Sequence, residues 1–256
     1  MRFCSLASGS AGNCAFVATE KTRILVDCGL SQRELRKRLK LIGEDVERID
    51  GVLITHEHGD HVAGVPVLRD NRAFPGVFYL ASILHEAEQI NCGQRVEVFD
   101  AGKRFTVGDI EVQSFLVPHD AVDPVGFWFR SGGIKVAFTT DLGFIPDSVA
   151  YHLEGADLVF IEANHDTDML KVGPYPFSVK QRVMSRMGHL SNEHIAEFIE
   201  KRLDRGTSHL VLGHLSEQNN HPAIVEMTAR EALDARGIKA SLTLALQDRP
   251  TQVFEF

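Results

Sequence analysis

Cysteine and long apolar runs are both scarce in this chain. Its 256 residues hold four cysteines, Cys4, Cys14, Cys28 and Cys92, and no two stand at CxxC spacing. That excludes a dithiol redox motif or a cysteine-rich zinc site. It leaves the bland reading, in which the thiols are small hydrophobes buried in a reduced protein. No apolar run reaches the ~18 residues that span a bilayer, and the opening MRFCSLASGSAGNC lacks the apolar core of a signal peptide. A cytoplasmic location is expected, with no membrane partner. Positive charge is short as well: 27 Lys and Arg face 35 Asp and Glu, a formal net charge of −8. General attraction to a polyanion is thereby excluded, so any such partner must meet a local basic patch or bound metal. Repeats of fixed period and low-complexity linkers are absent too.

What is present reads as strands with helices set between them. RFCSLA, NCAFVAT and RILVDCG are strand-like, with SGSAG a small-residue turn. In SQRELRKRLKLIG, Ser31 and Glu34 have capping-box spacing, Leu35, Leu39 and Ile42 follow the helical period, and Gly43 is a stop. DGVLIT (50–55) is a buried strand, and HVAGVPVLRDN a short helix. GVFYLA and RVEVF are strands around a helical SILHEAEQ. IEVQSFLV (110–117), VGFWFR (125–130) and IKVAFTT (134–140) are β-rich, with SGG a hairpin turn. ADLVFIEAN (156–164), HLVLGH (209–214), SLTLALQ and TQVFEF complete the strands. Helices are expected from Ser178, with Gln181 closing a capping box, from Ser191 to Leu203, and over HPAIVEMTAREALDARG. Two β-sheets with helices on their outer faces fit this order.

One stretch carries the chemistry. THEHGDH (55–61) follows the apolar run GVLI. In an extended segment, His56 and His58 point the same way and can reach one cation. Asp60 and His61 can serve a second, and Gly59 frees the backbone for the tight path between them. Imidazole with a minority of carboxylate suits Zn, Mn or Fe rather than Ca or Mg. Two such cations about 3.5–4 Å apart can share one water and lower its pKa toward ~7, giving a hydroxide nucleophile. Asp60 can orient it.

HEHGDH resembles the HxHxDH signature of the metallo-β-lactamase superfamily. LVDCG (25–29), His119 in VPHD, Asp141 in TTDLG and His214 in LGHLS are similar, in order, to its other elements. The resemblance implies a four-layer αββα sandwich extending over residues 1–256 as one domain, and two divalent ions. It implies that His56, His58 and His119 hold the first ion, that Asp60, His61 and His214 hold the second, and that Asp141 bridges them. Asp27, at the end of an apolar strand, can orient a ligand histidine or cap the turn that follows.

Three further segments bear on the substrate. MGHLSNEH puts His189 ahead of a helix start with Ser191 as N-cap, and FIEANHD puts Glu162 and His165 at a strand end. These resemble segments of the phosphodiesterase branch, where a Glu orients the His that meets the scissile phosphate. SGSAGNC resembles a turn of the same branch whose N–H groups form an anion nest, which makes Ser8, Ser10 and Asn13 candidate substrate contacts. Taken with YPFSVKQRVMSRMGHLSN and LGHLSEQNN, the whole chain is similar to the YycJ/WalJ group, 5′–3′ double-strand DNA exonucleases. That implies a DNA partner, with Asp60, Glu162 and His189 catalytic. No segment has the look of the second domain inserted in RNA-cleaving relatives. Basic clusters stand at Arg33, Arg36, Lys37, Arg38 and Lys40, and at Lys180, Arg182 and Arg186. The second, near His189, is the better candidate for DNA contact. A thioester or lactone hydrolase, or a non-catalytic member of the fold, remains the alternative.

Overall fold

Strand β11 (Leu158–Glu162) shows how the sequence makes layers. Leu158 and Phe160 join an apolar core on one side, while Val159 and Ile161 join a second core on the other. Alternation on an extended chain sends neighbours to opposite faces, so a strand apolar throughout must be covered twice. The structure, a computed structural model describing residues 1–256, carries this through two seven-stranded sheets.

The first sheet contains β1 (Arg2–Ala7), β2 (Cys14–Ala18), β3 (Arg23–Val26), β4 (Gly51–Leu53), β5 (Val77–Ala81), β6 (Val96–Phe99) and β14 (Phe254–Glu255), in the order β14-β1-β2-β3-β4-β5-β6. The second contains β7 (Arg104–Val107), β8 (Ile110–Leu116), β9 (Val125–Ser131), β10 (Ile134–Phe138), β11, β12 (His209–Gly213) and β13 (Ser241–Leu244), in the order β13-β12-β11-β10-β9-β8-β7. Phe3 meets Phe160 at 6.0 Å and Phe99 meets Phe127 at 5.8 Å, closing the sheets on each other. Leu35 and Leu39 of α1 (Gln32–Leu41) cover the first sheet from outside. Ile195 and Phe198 of α8 (Asn192–Lys201), with Val225 and Leu233 of α9 (Pro222–Arg236), cover the second. This is the expected αββα sandwich. No helix is long and apolar enough to cross a membrane.

The two sheets are built alike. From β1 to β6 the pairings run antiparallel twice, then parallel three times, and β8 to β13 repeat that series. Each series gains one further edge strand: β7 pairs antiparallel with β8 across a two-residue turn, and β14, from the far end of the chain, pairs antiparallel with β1. The repeat is invisible in the sequence because it is kept in pairing order rather than in residues.

Several local expectations shift. HVAGVPVLRDN divides into α2 (Gly59–Val62) and α3 (Val65–Asp70), so Asp60 and His61 stand in a helical turn. The helix expected from Ser178 is α7 (Phe177–Val183), capped at Pro176, and the Ser178–Gln181 box does not form. Ser31 does cap α1, but Glu34 faces Lys37 and Arg38 instead of reaching back. Ser191 caps α8 through a box closed by His194. In the β9–β10 hairpin the turn is Gly132–Gly133, both at positive φ, with Ser131 still in the strand. α4 (Ser82–Glu86) is shorter than its periodic run. Strand β7 and the short helices α5 (Asp147–Leu153) and α6 (Thr167–Val172) had no clear signal.

All four cysteines are free and buried. Burial pushes the Cys4 thiol up to about 11 and the Cys28 and Cys92 thiols up to about 12. A thiol that is neither exposed nor ionised does not react. The native protein is therefore expected to leave a disulfide reagent such as DTNB unconsumed at pH 8 and to release four equivalents after denaturation. Rapid labelling of the native form would contradict this packing.

Candidate metal centre

The carboxyl ends of six strands meet at one rim of the sandwich, where each hands its next residues to a common site. Asp27 follows β3, and His56 and His58 lie just past β4, leading into Asp60 and His61. His119 follows β8, Asp141 follows β10, Glu162 ends β11 and His214 follows β12. Asp27, Asp141 and His214 have φ of 62°, 53° and 54°. Such left-handed conformations cost a non-glycine residue about 1–3 kcal/mol and gather at functional sites. Asp27 and Asp141 hold the same place in the two strand series. Gly29 lets the 27–30 loop close on the motif: a Cβ there would stand 1.7 Å from the Asp60 carbonyl oxygen.

Four groups of side chains bring possible ligand atoms within 4.8 Å of one another: His56, His58 and His119; Asp60, His61 and His214; His56, His61 and Asp141; and Asp141, Glu162, His189 and His214. Each histidine expected to bind a metal, except His58, turns one ring nitrogen to a protein partner. His61 Nδ1 lies 2.7 Å from Asp27 Oδ2, and His56 Nδ1 lies 2.9 Å from Thr55 Oγ1. His119 Nδ1 meets Gly188 O at 3.2 Å, and His214 Nδ1 meets Glu162 Oε1 at 2.9 Å. An imidazole held this way presents its other nitrogen in fixed orientation. Those others converge. His61 Nε2 is 3.1 Å from Asp141 Oδ2 and 3.5 Å from Asp60 Oδ2, and His214 Nε2 is 3.5 Å from the same Asp60 oxygen. His58 enters through Nδ1, 3.2 Å from His119 Nε2.

The charges call for cations. Asp27, Asp141 and Glu162 are buried, and histidines are the basic groups in contact with all three. His56 Nε2 is buried without any hydrogen-bond partner, and such an orphan needs a reason. Burial lowers the His56 and His119 rings, favouring the neutral form that binds metal. Burial opposes protonation of His214 too, but Asp141, Asp60 and Glu162 outweigh it and hold the ring at about 10. Positive charge is thus drawn to the centre. A donor set of imidazole nitrogens and carboxylate oxygens fits Zn, Mn or Fe, and the chain has places for two divalent ions.

A cavity of about 340 Å³ opens onto this cluster, lined by Ser10, His58, Gly59, Asp60, Asp141, Arg182, His189 and His214, with no hydrophobic residue. His189 presents its Nδ1 to Glu162 Oε1 at 2.6 Å. The other Glu162 oxygen accepts the Leu142 and Leu190 N–H groups, each at 3.2 Å. Burial opposes the charged His189 ring, yet Glu162 and Asp141 raise it above its usual range.

Not every residue expected to touch substrate is free to do so. Ser8 is buried, its Oγ accepting the His214 N–H. Asn13 is buried and gives its amide to Asp60 Oδ2 at 3.0 Å. His165 is 2% exposed, behind the turn at Leu190. The expected anion nest is closed as well, since Gly9, Ala11, Gly12 and Asn13 all donate their N–H groups within the protein. In the first basic cluster, Arg36 pairs with Asp45 and Glu47, while Arg38 is buried on the Leu6 and Gln247 carbonyls. Lys180 and Arg186 lie near the cavity in sequence but not on its wall.

Two residues of the site carry no distinguishing signal in the sequence. Thr55, first in the motif, donates to Asp27 through both N–H and Oγ–H. Asp120, beside His119, takes Arg182 at 2.5 Å.

Residues 22–215 match the model of the beta-lactamase superfamily domain. The chain belongs to the metallo-β-lactamase superfamily. Within that superfamily it is 34% identical to an exodeoxyribonuclease YycJ of Bacillus anthracis, over 97% of this chain and 95% of that one. It is 39% identical to the exodeoxyribonuclease WalJ of Streptococcus pneumoniae, over 89% and 86%. Among solved structures, the metallo-β-lactamase fold protein YhfI of Bacillus subtilis superposes with a TM-score of 0.75, and Zn-bound PqqB of Methylobacterium extorquens with 0.74. Each is 18% identical and covers both chains fully.

Asp27→Asn keeps a residue type that tolerates positive φ and removes the charge behind His61. It is expected to weaken metal binding about 10- to 100-fold, measured by competition with a chromophoric chelator. Unchanged affinity would mean that Asp27 does not set the orientation of His61.

Proposed function

We propose that this protein is a dinuclear metal-dependent phosphodiesterase that removes nucleotides from duplex DNA, starting at a 5′ end. The observation that carries the reaction class is His189, held by the buried Glu162, on the wall of an entirely polar cavity. A thioester or lactone would call for an apolar pocket, and this one has no apolar side chain. The exodeoxyribonuclease relatives support DNA as the substrate, and the resemblance of the motifs supports the 5′ start.

In this reading His56, His58 and His119 would hold one ion, Asp60, His61 and His214 would hold the other, and Asp141 would serve both. When bound, such ions supply a water-derived nucleophile at neutral pH and neutralise charge on a phosphoryl group. The chain's own groups do the rest. Asp60, fixed by the Asn13 amide, accepts a hydrogen bond from the attacking water and aims it. Glu162 takes the His189 Nδ1 proton in a hydrogen bond, which leaves Nε2 for the substrate. With its ring proton favoured by Glu162 and Asp141, His189 donates to a phosphoryl oxygen and then protonates the leaving oxygen. Glu162 also holds His214, so one buried carboxylate sets both a ligand and the proton donor. Arg182 stands on the cavity wall for a neighbouring phosphate. The domain assignment 1–256 follows from the same reading, because the ligands come from both sheets.

Purified protein with Mn or Zn is expected to release nucleotides from linear duplex DNA, and Asp60→Ala or His61→Ala to abolish release. His189→Ala is expected to lower kcat by about 10²–10⁴-fold with metal content retained. Metal loss in that variant would make His189 a ligand. Duplexes labelled at the 5′ or 3′ end give the direction, and the absence of phosphodiester hydrolysis under several metals would end this reading.

A further inference from the structure

Charge is unevenly spread along the chain. Residues 169–192 contain Lys171, Lys180, Arg182 and Arg186 and no Asp or Glu, a local charge of +4. The whole chain is −8, so everything outside this segment sums to −12. The segment holds the end of α6, all of α7, and the turn bearing His189. No side chain of α7 is buried. Five of the thirteen large hydrophobics exposed on the protein fall within residues 172–187: Val172, Phe177, Val179, Met184 and Met187. That density marks a patch rather than the usual scatter of single apolar residues.

Its cations are little committed elsewhere. Lys180 gives its ammonium only to the Lys171 carbonyl. Arg186 has no acidic partner and lies 4.1 Å over the Phe144 ring, three residues past Asp141. Lys171 meets Asp168 in an exposed pair, worth little in water. Arg182 reaches into the cavity while its guanidinium rests on Asp120.

We infer that residues 169–192 form a docking face for duplex DNA, continuous with the cavity, on which the cations take backbone phosphates and the exposed apolar side chains lie against sugars and bases. This rests on the reading of DNA as substrate. It gives a −12 remainder a place where a polyanion can approach. A second copy of this chain fits the strip less well, because a two-fold contact sets a patch against itself and would bring these cations onto their own counterparts. Asp120 takes Arg182 through Nε alone in the free protein, which leaves the terminal guanidinium nitrogens for a phosphate.

Lys171 and Arg186 are exposed and Lys180 is half-buried, so the three can be replaced without opening a core. The triple variant Lys171→Ala, Lys180→Ala, Arg186→Ala is compared with wild type on duplex DNA across a salt series, and on bis-p-nitrophenyl phosphate, which is too small to span the strip. The expected result is a fall of about tenfold or more in kcat/KM on duplex at moderate salt, with a salt slope flatter by about 0.9 for each phosphate no longer neutralised. Turnover of the small diester stays as in wild type. The charge-keeping variant Lys171→Arg, Lys180→Arg, Arg186→Lys recovers the slope. Phe177→Ser is expected to weaken duplex turnover and leave the sedimentation behaviour unchanged. Equal losses on both substrates, an unchanged salt slope, or a dimer that Phe177→Ser dissociates with duplex turnover intact would each overturn the inference. Those results leave the phosphodiesterase reading standing, whereas a wild-type protein inert toward DNA but active on the small diester removes DNA and this docking face together.

Discussion

Buried negative charge governs this structure. Asp27, Asp141 and Glu162 are withdrawn from water, with Asp60 half-buried beside them, and histidines are the bases inside their cluster. Each buried carboxylate carries a desolvation cost of several kcal/mol unless matched by hydrogen bonds and opposite charge. The matching here is partial. Thr55 and His61 answer Asp27, while Leu142, Leu190, His189 and His214 answer Glu162. Asp141 and Asp60 face one another's partners across the opening of the cavity. Divalent ions would complete the balance, and their binding would then also help to hold the rim together.

The parts legible in the sequence were those with short-range causes. HEHGDH announced itself because so many ligand types in six residues have little other use. The strands were legible because Leu158, Phe160, Val159 and Ile161 have to go somewhere apolar on both sides. Less legible was anything decided by packing. Ser8 and Asn13 have the composition of an anion-binding turn, yet their polar atoms are spent on His214 and Asp60. Arg38 sits in a basic run but is drawn inward by two carbonyls. Ser178 and Gln181 have the right spacing for a cap, but Pro176 already fixes where α7 begins. Asp120 beside His119 gave no local sign of its partner, since Arg182 arrives from 62 residues away.

The equivalence of Asp27 and Asp141 shows how one device serves two ends. Both follow the third strand of a series, both adopt left-handed backbone, and both point at the same imidazole, one to each ring nitrogen of His61. Asp27 is sealed in and only orients the ring. Asp141 faces the cavity and can bind. The difference lies in depth beneath the rim rather than in residue type.

The β1–β14 pairing has a consequence for the termini. It stitches the last strand of the chain onto the first sheet beside the first strand, so the end of the chain closes the layer in which its beginning lies. The ligands, by contrast, come from strand ends in both sheets, so their spacing is inherited from the way the two layers are stacked and a guest meets a rim already laid out.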